Sequence, residues 1–357
     1  MKSYNHLYEI AIAPETRRAA VHKVCLGRHK MRNLERFSAD EEKTADRALV
    51  WITLYRNAPH IPITINDGIS HKVRQIIVPT FEELTVQHCV VMALMPMFMH
   101  GMYEHSYASI PNRGTHKAKK VIEKWIKHDP KNCKYVLKMD IRHFFDSIPH
   151  DILKAKLAEK IHDRRMLELL YEIIDVTDVG LPLGFYTSQW LSNWYLQDLD
   201  HYIKETLGAT HYVRYMDDMV IFGSNKRQLH RIRELIESYL QAHLGLHLKQ
   251  NWQVYRFVYK RLGREYGRDL DFMGFRFFRN RTVLRRSIML KMTRKARKIK
   301  RKNHATIYDI RQIMSYIGWL DATDCYMVYL KWVKPYINFQ NCKRRISKYD
   351  KNRRIAA

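Results

Sequence analysis

Apolar positions recur along this chain at two spacings, and the places where the spacing changes mark its elements. Residues 1 to about 60 read as helical and charged, with Arg17, Arg18, His22, Lys23, Arg28 and Lys30 forming a basic face. After the turn-like Asn66-Asp67-Gly68, the β-branched, partly alternating stretch from Lys72 to Pro79 predicts a strand. Phe81 to Met99 returns to helical spacing. Lys134 to Met139 is a short apolar run that predicts a strand ending at Asp140, and Pro149 to Ile161 restarts a helix.

Gly180 to Gly184 reads as a loop, followed by an apolar helix from Thr187 to Leu199. Two short β-runs, His211 to Arg214 and Met219 to Phe222, flank Tyr215-Met216-Asp217-Asp218, which predicts a hairpin with carboxylates at its tip. Arg227 to His243 is a helix, Leu270 to Phe278 is a strand, and the pattern beyond Arg281 is helical to the end. Strands are mixed with helices without strict alternation. The class is therefore α+β with an all-helical C-terminal part.

Composition narrows the function. Lys and Arg number 63 against 36 acids, a formal charge of +27, and so large a surplus calls for an anionic partner such as nucleic acid. Residues 281 to 357 hold 21 Lys/Arg and 4 acids, so +17 of that charge sits in the C-terminal quarter. Trp319, Tyr326, Tyr329, Trp332 and Tyr336 are interleaved there, which suits a packed basic module better than a solvated tail. The cysteines, Cys25, Cys89, Cys133, Cys325 and Cys342, have no metal-ligand spacing, and a reducing cytoplasm is the expected home. The longest apolar run, Cys89 to Met99, is too short for a bilayer, and MKSYNHLYEI lacks the apolar core of a signal peptide.

Two adjacent aspartates inside an apolar β-run are costly, because neighbouring carboxylates repel and lose hydration. A divalent cation resolves that cost. Successive strand side chains point to opposite faces, so Asp217 and Asp218 share one site only at a hairpin tip. A third carboxylate is expected from a neighbouring strand end, and Asp140 supplies it after Tyr135-Val136-Leu137. Oxygen-only ligands suit Mg²⁺, and two such ions support in-line nucleotidyl transfer.

The ordered set is more specific than any member. Asp140-Ile141-Arg142-His143-Phe144-Phe145-Asp146 is followed by Gly184-Phe185-Tyr186-Thr187-Ser188-Gln189, then Tyr215-Met216-Asp217-Asp218, then Leu244-Gly245-Leu246-His247-Leu248-Lys249, then Phe272-Met273-Gly274-Phe275. In this the chain resembles reverse transcriptases over nearly its whole length. The resemblance implies a right-hand polymerase fold, with fingers and palm in residues 1 to 280 and a basic helical thumb in 281 to 357. About 80 residues after the palm leave no room for a thumb plus an RNase H domain, and no endonuclease domain is expected.

The same resemblance assigns roles. Asp140, Asp217 and Asp218 would hold two Mg²⁺ ions, with Mn²⁺ a possible substitute, and Ile141 would sit at the metal and the triphosphate. Lys72, Arg74 and Lys249 would neutralise the incoming triphosphate, which the backbone at His143 would also meet. Phe145 would exclude a ribose 2′-hydroxyl. Asn112-Arg113-Gly114-Thr115-His116 looks like the family's second block, and Met273-Gly274 like its primer grip. Arg113, Gln189, Tyr215, Met273 and Gly274 would face template or primer. So would Arg294 and Lys298, on a first thumb helix over residues 285 to 301, through the duplex backbone.

A narrower resemblance comes from Leu183-Gly184-Phe185-Tyr186-Thr187-Ser188-Gln189, where most reverse transcriptases carry QG…SP. The aliphatic residue before Gly184 and the closing Gln are similar to enzymes of diversity-generating retroelements, as is LGLHLKQNWQV. That group implies a bacterial or phage-encoded polymerase working with a structured template RNA and a small, basic, oligomeric accessory variability protein. Leucine at 183 can only pack where glutamine would hydrogen-bond, which implies low fidelity, concentrated opposite template adenines. A reverse transcriptase of antiviral defence, of abortive-infection or retron-like type, and a non-catalytic RNA-binding maturase-like protein are the alternatives.

Overall fold

The structure, a computed structural model, describes residues 3–26, 37, 40–66, 73–302 and 305–355. The chain forms two compact units: one of Met1–Gly114 with Leu137–Val254, the other of Thr115–Val136 with Tyr255–Ala357.

The first unit opens with helices Leu7–Ile12, Pro14–Cys25 and Glu41–Thr53, as the helical spacing predicts. Arg28 and Lys30 of the expected basic face and Lys72 of the triphosphate group lie outside the described residues. Strands β1 (Ile63–Asn66) and β2 (Val73–Ile76) pair antiparallel, with Ile65 opposite Arg74, and both are largely exposed. The helix Phe81–Met99 starts from a capping box in which Thr80 accepts from the Glu83 amide and Glu83 accepts from the Thr80 amide. Its sequence is apolar on nearly all faces, and it is accordingly buried on nearly all faces.

A four-stranded sheet carries the site: β3 (Tyr135–Asp140), β4 (His211–Tyr215), β5 (Asp218–Gly223) and β6 (Gln253–Arg256), in the order β4-β5-β3-β6. Helices His150–Lys160, Arg164–Ile174, Tyr186–Tyr195 and Gln197–His201 belong to the same unit. The helix Lys226–Leu244 buries Leu229, Ile232, Ile236, Leu240 and Leu244 along one stripe. Asn225 caps its start, and Gly245, at φ +60°, ends it in the left-handed conformation that glycine adopts without strain.

In the second unit, helix Thr115–His128 buries Ala118, Ile122 and Ile126 at four-residue intervals. Strands β7 (Tyr259–Arg261) and β8 (Arg264–Tyr266) make a hairpin, and β9 (Leu270–Phe272), β10 (Phe275–Phe277) and β11 (Thr282–Leu284) make a sheet of order β11-β10-β9. The single strand expected from Leu270 to Phe278 is thus a hairpin. Its turn is Met273-Gly274, at φ +51° and +84°, and Leu270, Phe272, Phe275 and Phe277 are all fully buried. The two-residue turn interrupts the alternation so briefly that the run reads as continuous.

The region beyond Arg281 likewise begins as β11, too short to register as a period, before the helices Arg286–Arg301, Ile307–Met314, Ile317–Asp321, Tyr326–Trp332 and Phe339–Ile355. Arg286–Arg301 turns Ile288, Met292, Ala296 and Ile299 inward and leaves Arg294 and Lys298 exposed. Asp309, buried, receives Lys295 at 2.8 Å and Lys302 at 2.6 Å, and these bonds hold its carboxyl well below the usual range. Among the described residues no helix is long and apolar enough to cross a membrane.

Candidate active site

The β4–β5 hairpin is anchored by its apolar residues and presents its polar ones. Tyr212, Val213, Met219, Val220, Ile221 and Phe222 are buried. Tyr215 pairs with Asp218, so the turn consists of Met216 and Asp217. Met216 takes φ +57°, a left-handed conformation that is costly for an unbranched side chain and persists only where surroundings impose it. The sequence places both aspartates at this tip, and the hairpin delivers them there.

Asp140 arrives from the next strand. It is the last residue of β3, and the Ile141 amide donates to the Asp217 carbonyl at 3.3 Å, bringing the end of β3 to the turn. On its other side, the Lys249 amide donates to the Asp140 carbonyl at 2.8 Å, and the Arg142 amide to the His247 carbonyl at 2.8 Å. The Lys249 ammonium rests on the Asp140 carboxylate. Lysine and aspartate, 109 residues apart in the chain, are thus held as a pair.

The charges are imperfectly balanced. Burial, then the negative charge of Asp140, with Asp218 adding to it, push the Asp217 carboxyl up to about 7, although Lys249 works the other way. Among the described residues no three His, Cys, Asp or Glu side chains stand as a preformed metal cluster. Lys249 draws Asp140 to itself, while the like charges of Asp140 and Asp217 repel. The donors nevertheless fit a hard divalent cation: they are all carboxylate oxygens, and one is kept from ready ionisation by neighbours that a cation would neutralise.

Beneath the tip lies a group that the sequence reading did not single out. Arg214 and Asp200 are both fully buried. The guanidinium meets Asp200 Oδ1 at 2.8 Å from Nε, and its Nη1 donates to Asn193 Oδ1 and to the Met216 carbonyl, each at 3.1 Å. Tyr212 donates its hydroxyl to Asp200 at 2.7 Å, and Tyr103 donates to the Tyr212 carbonyl at 2.8 Å. Burial lowers the affinity of Arg214 for its proton, but Asp200 outweighs it and the net shift is upward. The guanidinium thereby grips the strained Met216 from below. The visible signal is an arginine inside the apolar run His211-Tyr212-Val213-Arg214-Tyr215.

The other expected residues fall into three places. Phe145 is half-buried beside the buried Phe144, their rings 5.4 Å apart, and the Leu181 amide donates to the Phe145 carbonyl at 2.7 Å. Gly180 is obligatory there, since a Cβ would come within 2.5 Å of that carbonyl oxygen. Leu183 is half-buried and its carbonyl accepts from the Ile77 amide at 2.8 Å, just beyond β2. Gly184 has φ +114°, and a Cβ on it would lie 2.1 Å from the Ile77 carbonyl oxygen. Arg74 is exposed on β2, His143 is exposed at φ +44°, Ile141 is fully buried, and Gln189 is exposed on its helix.

Arg113 is half-buried and donates to the Ser106 carbonyl at 3.3 Å and to the Tyr103 carbonyl, bracing its own loop. Tyr215 is half-buried opposite Asp218. Met273, Gly274, Arg294 and Lys298 belong to the second compact unit. A Cβ on Gly274 would meet Ile288 at 2.9 Å, so the turn packs tightly against the helix that carries Arg294 and Lys298.

Residues 65–277 match the family model described as reverse transcriptase (RNA-dependent DNA polymerase), well over half of the chain. This chain belongs to the reverse transcriptase family. Members of the family use divalent metal ions, in keeping with the carboxylates at the hairpin tip. Its curated relatives include Protein YkfC of Escherichia coli K12, 26% identical over an alignment of 223 residues, with 50% of this chain and 58% of that protein covered. The retron Ec73 reverse transcriptase of Escherichia coli is 27% identical over 35% of this chain and 42% of its own. The group II intron-encoded protein LtrA of Lactococcus lactis is 28% identical over 38% and 24%. The reverse transcriptase-family chain spans about half or less of the length of these relatives. Among solved structures, apo telomerase from Candida tropicalis matches 84% of this chain and 63% of its own at 14% identity, with TM-score 0.47.

Proposed function

We propose that this protein is an RNA-directed DNA polymerase that copies a template RNA into cDNA for retroelement-driven sequence diversification. The observation that carries the reading is the backbone bond from Ile141 to Asp217, which brings Asp140 to the carboxylate pair of the YMDD hairpin. Asp140, Asp217 and Asp218 are the residues that would hold two Mg²⁺ ions, with Ile141 beside them. Bound magnesium supplies activation of the primer 3′-hydroxyl and stabilisation of the pyrophosphate leaving group.

The chain's own residues do the rest. Lys72, Arg74 and Lys249 neutralise the triphosphate, and the backbone at His143 meets it. Phe145, fixed by its carbonyl bond to Leu181, stands as the gate against a 2′-hydroxyl. Arg113, Gln189, Tyr215, Met273 and Gly274 position template and primer, while Arg294 and Lys298 follow the duplex backbone without reading sequence. Fingers and palm over residues 1 to 280 and thumb over 281 to 357 remain the functional division, and its boundary falls within the second compact unit.

Leu183 supports the diversifying role. Its side chain offers no hydrogen bond where glutamine would, and loss of one positioned polar contact weakens selection of the incoming nucleotide by roughly 1 kcal/mol, about fivefold. A small basic accessory protein and a structured RNA complete the machine. The retron Ec73 and group II intron matches favour a second reading, the same chemistry on another RNA.

Primer extension on a defined RNA, followed by deep sequencing, tests both. The expected result is Mg²⁺-dependent cDNA with substitutions concentrated opposite adenine, stimulated by the accessory protein. No cDNA from the wild-type protein with that partner and RNA would refute the polymerase reading, and uniform high fidelity would refute diversification.

A further inference from the structure

Strands β7 and β8, in the second compact unit, form a ribbon whose residues run against what a hairpin ordinarily needs. Arg256 to Arg268 holds five Lys/Arg and one acid, Glu265, and residues 260–268 are all exposed. That acid is already committed to Arg281 through two bonds, at 2.9 and 3.0 Å. Arg261 stands directly opposite Arg264, and a like-charged pair in that position destabilises the ladder. The turn between them is Leu262-Gly263, at φ +48° and +77°. Two-residue turns with both φ positive favour Asn, Asp or Gly in the first place. Here it is a leucine that is 91% exposed.

Repulsion, strain and exposed apolar surface thus meet at one end of the ribbon, and an anion with apolar faces would answer all but the strain. Side chains alternate across a strand, so Tyr259, Arg261, Arg264 and Tyr266 share one face. The two tyrosine rings lie 5.9 Å apart, and the Arg256 guanidinium lies 4.8 Å from the Tyr259 ring and 5.0 Å from that of Tyr135. The base is tied by the Val258 amide on the Arg268 carbonyl and the Arg268 amide on the Arg256 carbonyl, each at 3.0 Å. Two guanidinium groups suit a phosphate, and tyrosine rings suit the face of an unpaired base. An A-form duplex offers neither access nor free base faces, because its major groove is narrow and its bases are stacked.

We propose that the β7–β8 hairpin is a binding site for single-stranded nucleic acid, in which one phosphate bridges Arg261 and Arg264 while neighbouring bases stack on Tyr266 and pack against Leu262. None of the template, primer or nucleotide roles above falls on these residues. The site rests on the opposed arginines and the exposed leucine, and it stands whether or not the polymerase reading does.

The test is fluorescence anisotropy of the full-length protein with a labelled, unstructured uridine-rich RNA strand, its deoxyribose counterpart and an RNA–DNA hybrid, across a salt series. Single strands are titrated in excess unlabelled hybrid, which occupies the surfaces that take duplex. Arg261→Gln combined with Arg264→Gln is expected to weaken single-strand binding roughly tenfold. Its salt slope should fall by about 0.7, the value for one phosphate contact on a single strand. Tyr266→Ala should also weaken it roughly tenfold, through lost stacking. Leu262→Asn should weaken the strand and raise the melting temperature, opposite directions that a structural role would not produce. The tighter of the ribose and deoxyribose strands names the occupant. Photocrosslinking of a 4-thiouridine strand should modify the segment 256–268. Unchanged affinity and slope in the double variant at a native melting temperature, an equal loss of hybrid binding, or crosslinks confined to other segments would overturn the site.

Discussion

The β4–β5 hairpin buries acidic side chains at two levels, and they are treated in opposite ways. Below, Asp200 is fully buried and fully answered by Arg214, Tyr212 and the arginine's further bonds to Asn193 and Met216. At the tip, Asp217 is crowded by Asp140 and Asp218, which a backbone hydrogen bond and Lys249 offset only in part, and its carboxyl is pushed up to about 7. The lower group is self-sufficient and holds shape. The upper group carries a deficit that a cation from outside can fill, and that deficit is what chemistry can use.

The largest effect should come from deleting the upper charge. Asp217→Asn is expected to lower primer extension by roughly a thousandfold or more, on the scale of losing a principal electrostatic stabiliser, while leaving the metal-free protein at least as stable as wild type. Steady-state extension and thermal melting, measured together, check this; a variant that is inactive because it melts early would erase the contrast between the two levels.

The reciprocal change below should behave in the reverse manner. Arg214→Met leaves Asp200 buried without its cation, for an expected loss of about 3–5 kcal/mol. Arg214→Met with Asp200→Leu should recover much of that loss in denaturant melts. If the double variant stays as unstable as the single one, Arg214 matters through Met216 rather than through Asp200.

Acidity offers a third probe. Asp217 has a folded pKa raised above its unfolded value, so the folded state binds the extra proton and the metal-free protein loses stability as pH rises from about 4 to 7. The loss should be about 4 kcal/mol, disappear in Asp217→Asn, and be reversed by millimolar Mg²⁺. Extension should rise over the same limb, because the ionised carboxylate is the form that a cation attracts. A melting temperature flat across that range would remove the deficit at the tip. The smallest expected effect is at Leu183→Gln, about fivefold fewer errors opposite adenine by cDNA sequencing.

Much of this molecule is legible from residue order alone, and the reasons differ by place. The Phe81–Met99 helix stands out because its apolar run is long and Thr80 and Glu83 cap it. The YMDD hairpin stands out because two carboxylates interrupt β-branched and apolar positions. Local patterns fail where elements are short: β11 has three residues, and β9 and β10 are joined by a turn that leaves the alternation almost intact. They also fail where meaning depends on a distant partner. Nothing adjacent to Arg214 says that Asp200 faces it, and nothing adjacent to Lys249 says that it meets Asp140. Helix Thr115–His128 went unread because Lys and His dominate its visible composition, although its buried positions are Ala118, Ile122 and Ile126.

The crossing of Gly184 beneath Ile77 has an evolutionary corollary. Any side chain larger than hydrogen at 184 would collide with main chain that cannot retreat, so variation at this joint is channelled into its neighbour. Position 183 keeps its carbonyl tied to the Ile77 amide whatever side chain it bears. On the proposed reading the joint would be an accuracy dial with a fixed axle: selection could exchange the residue before the glycine, and with it the rate of copying errors, without disturbing the carboxylates at the hairpin tip.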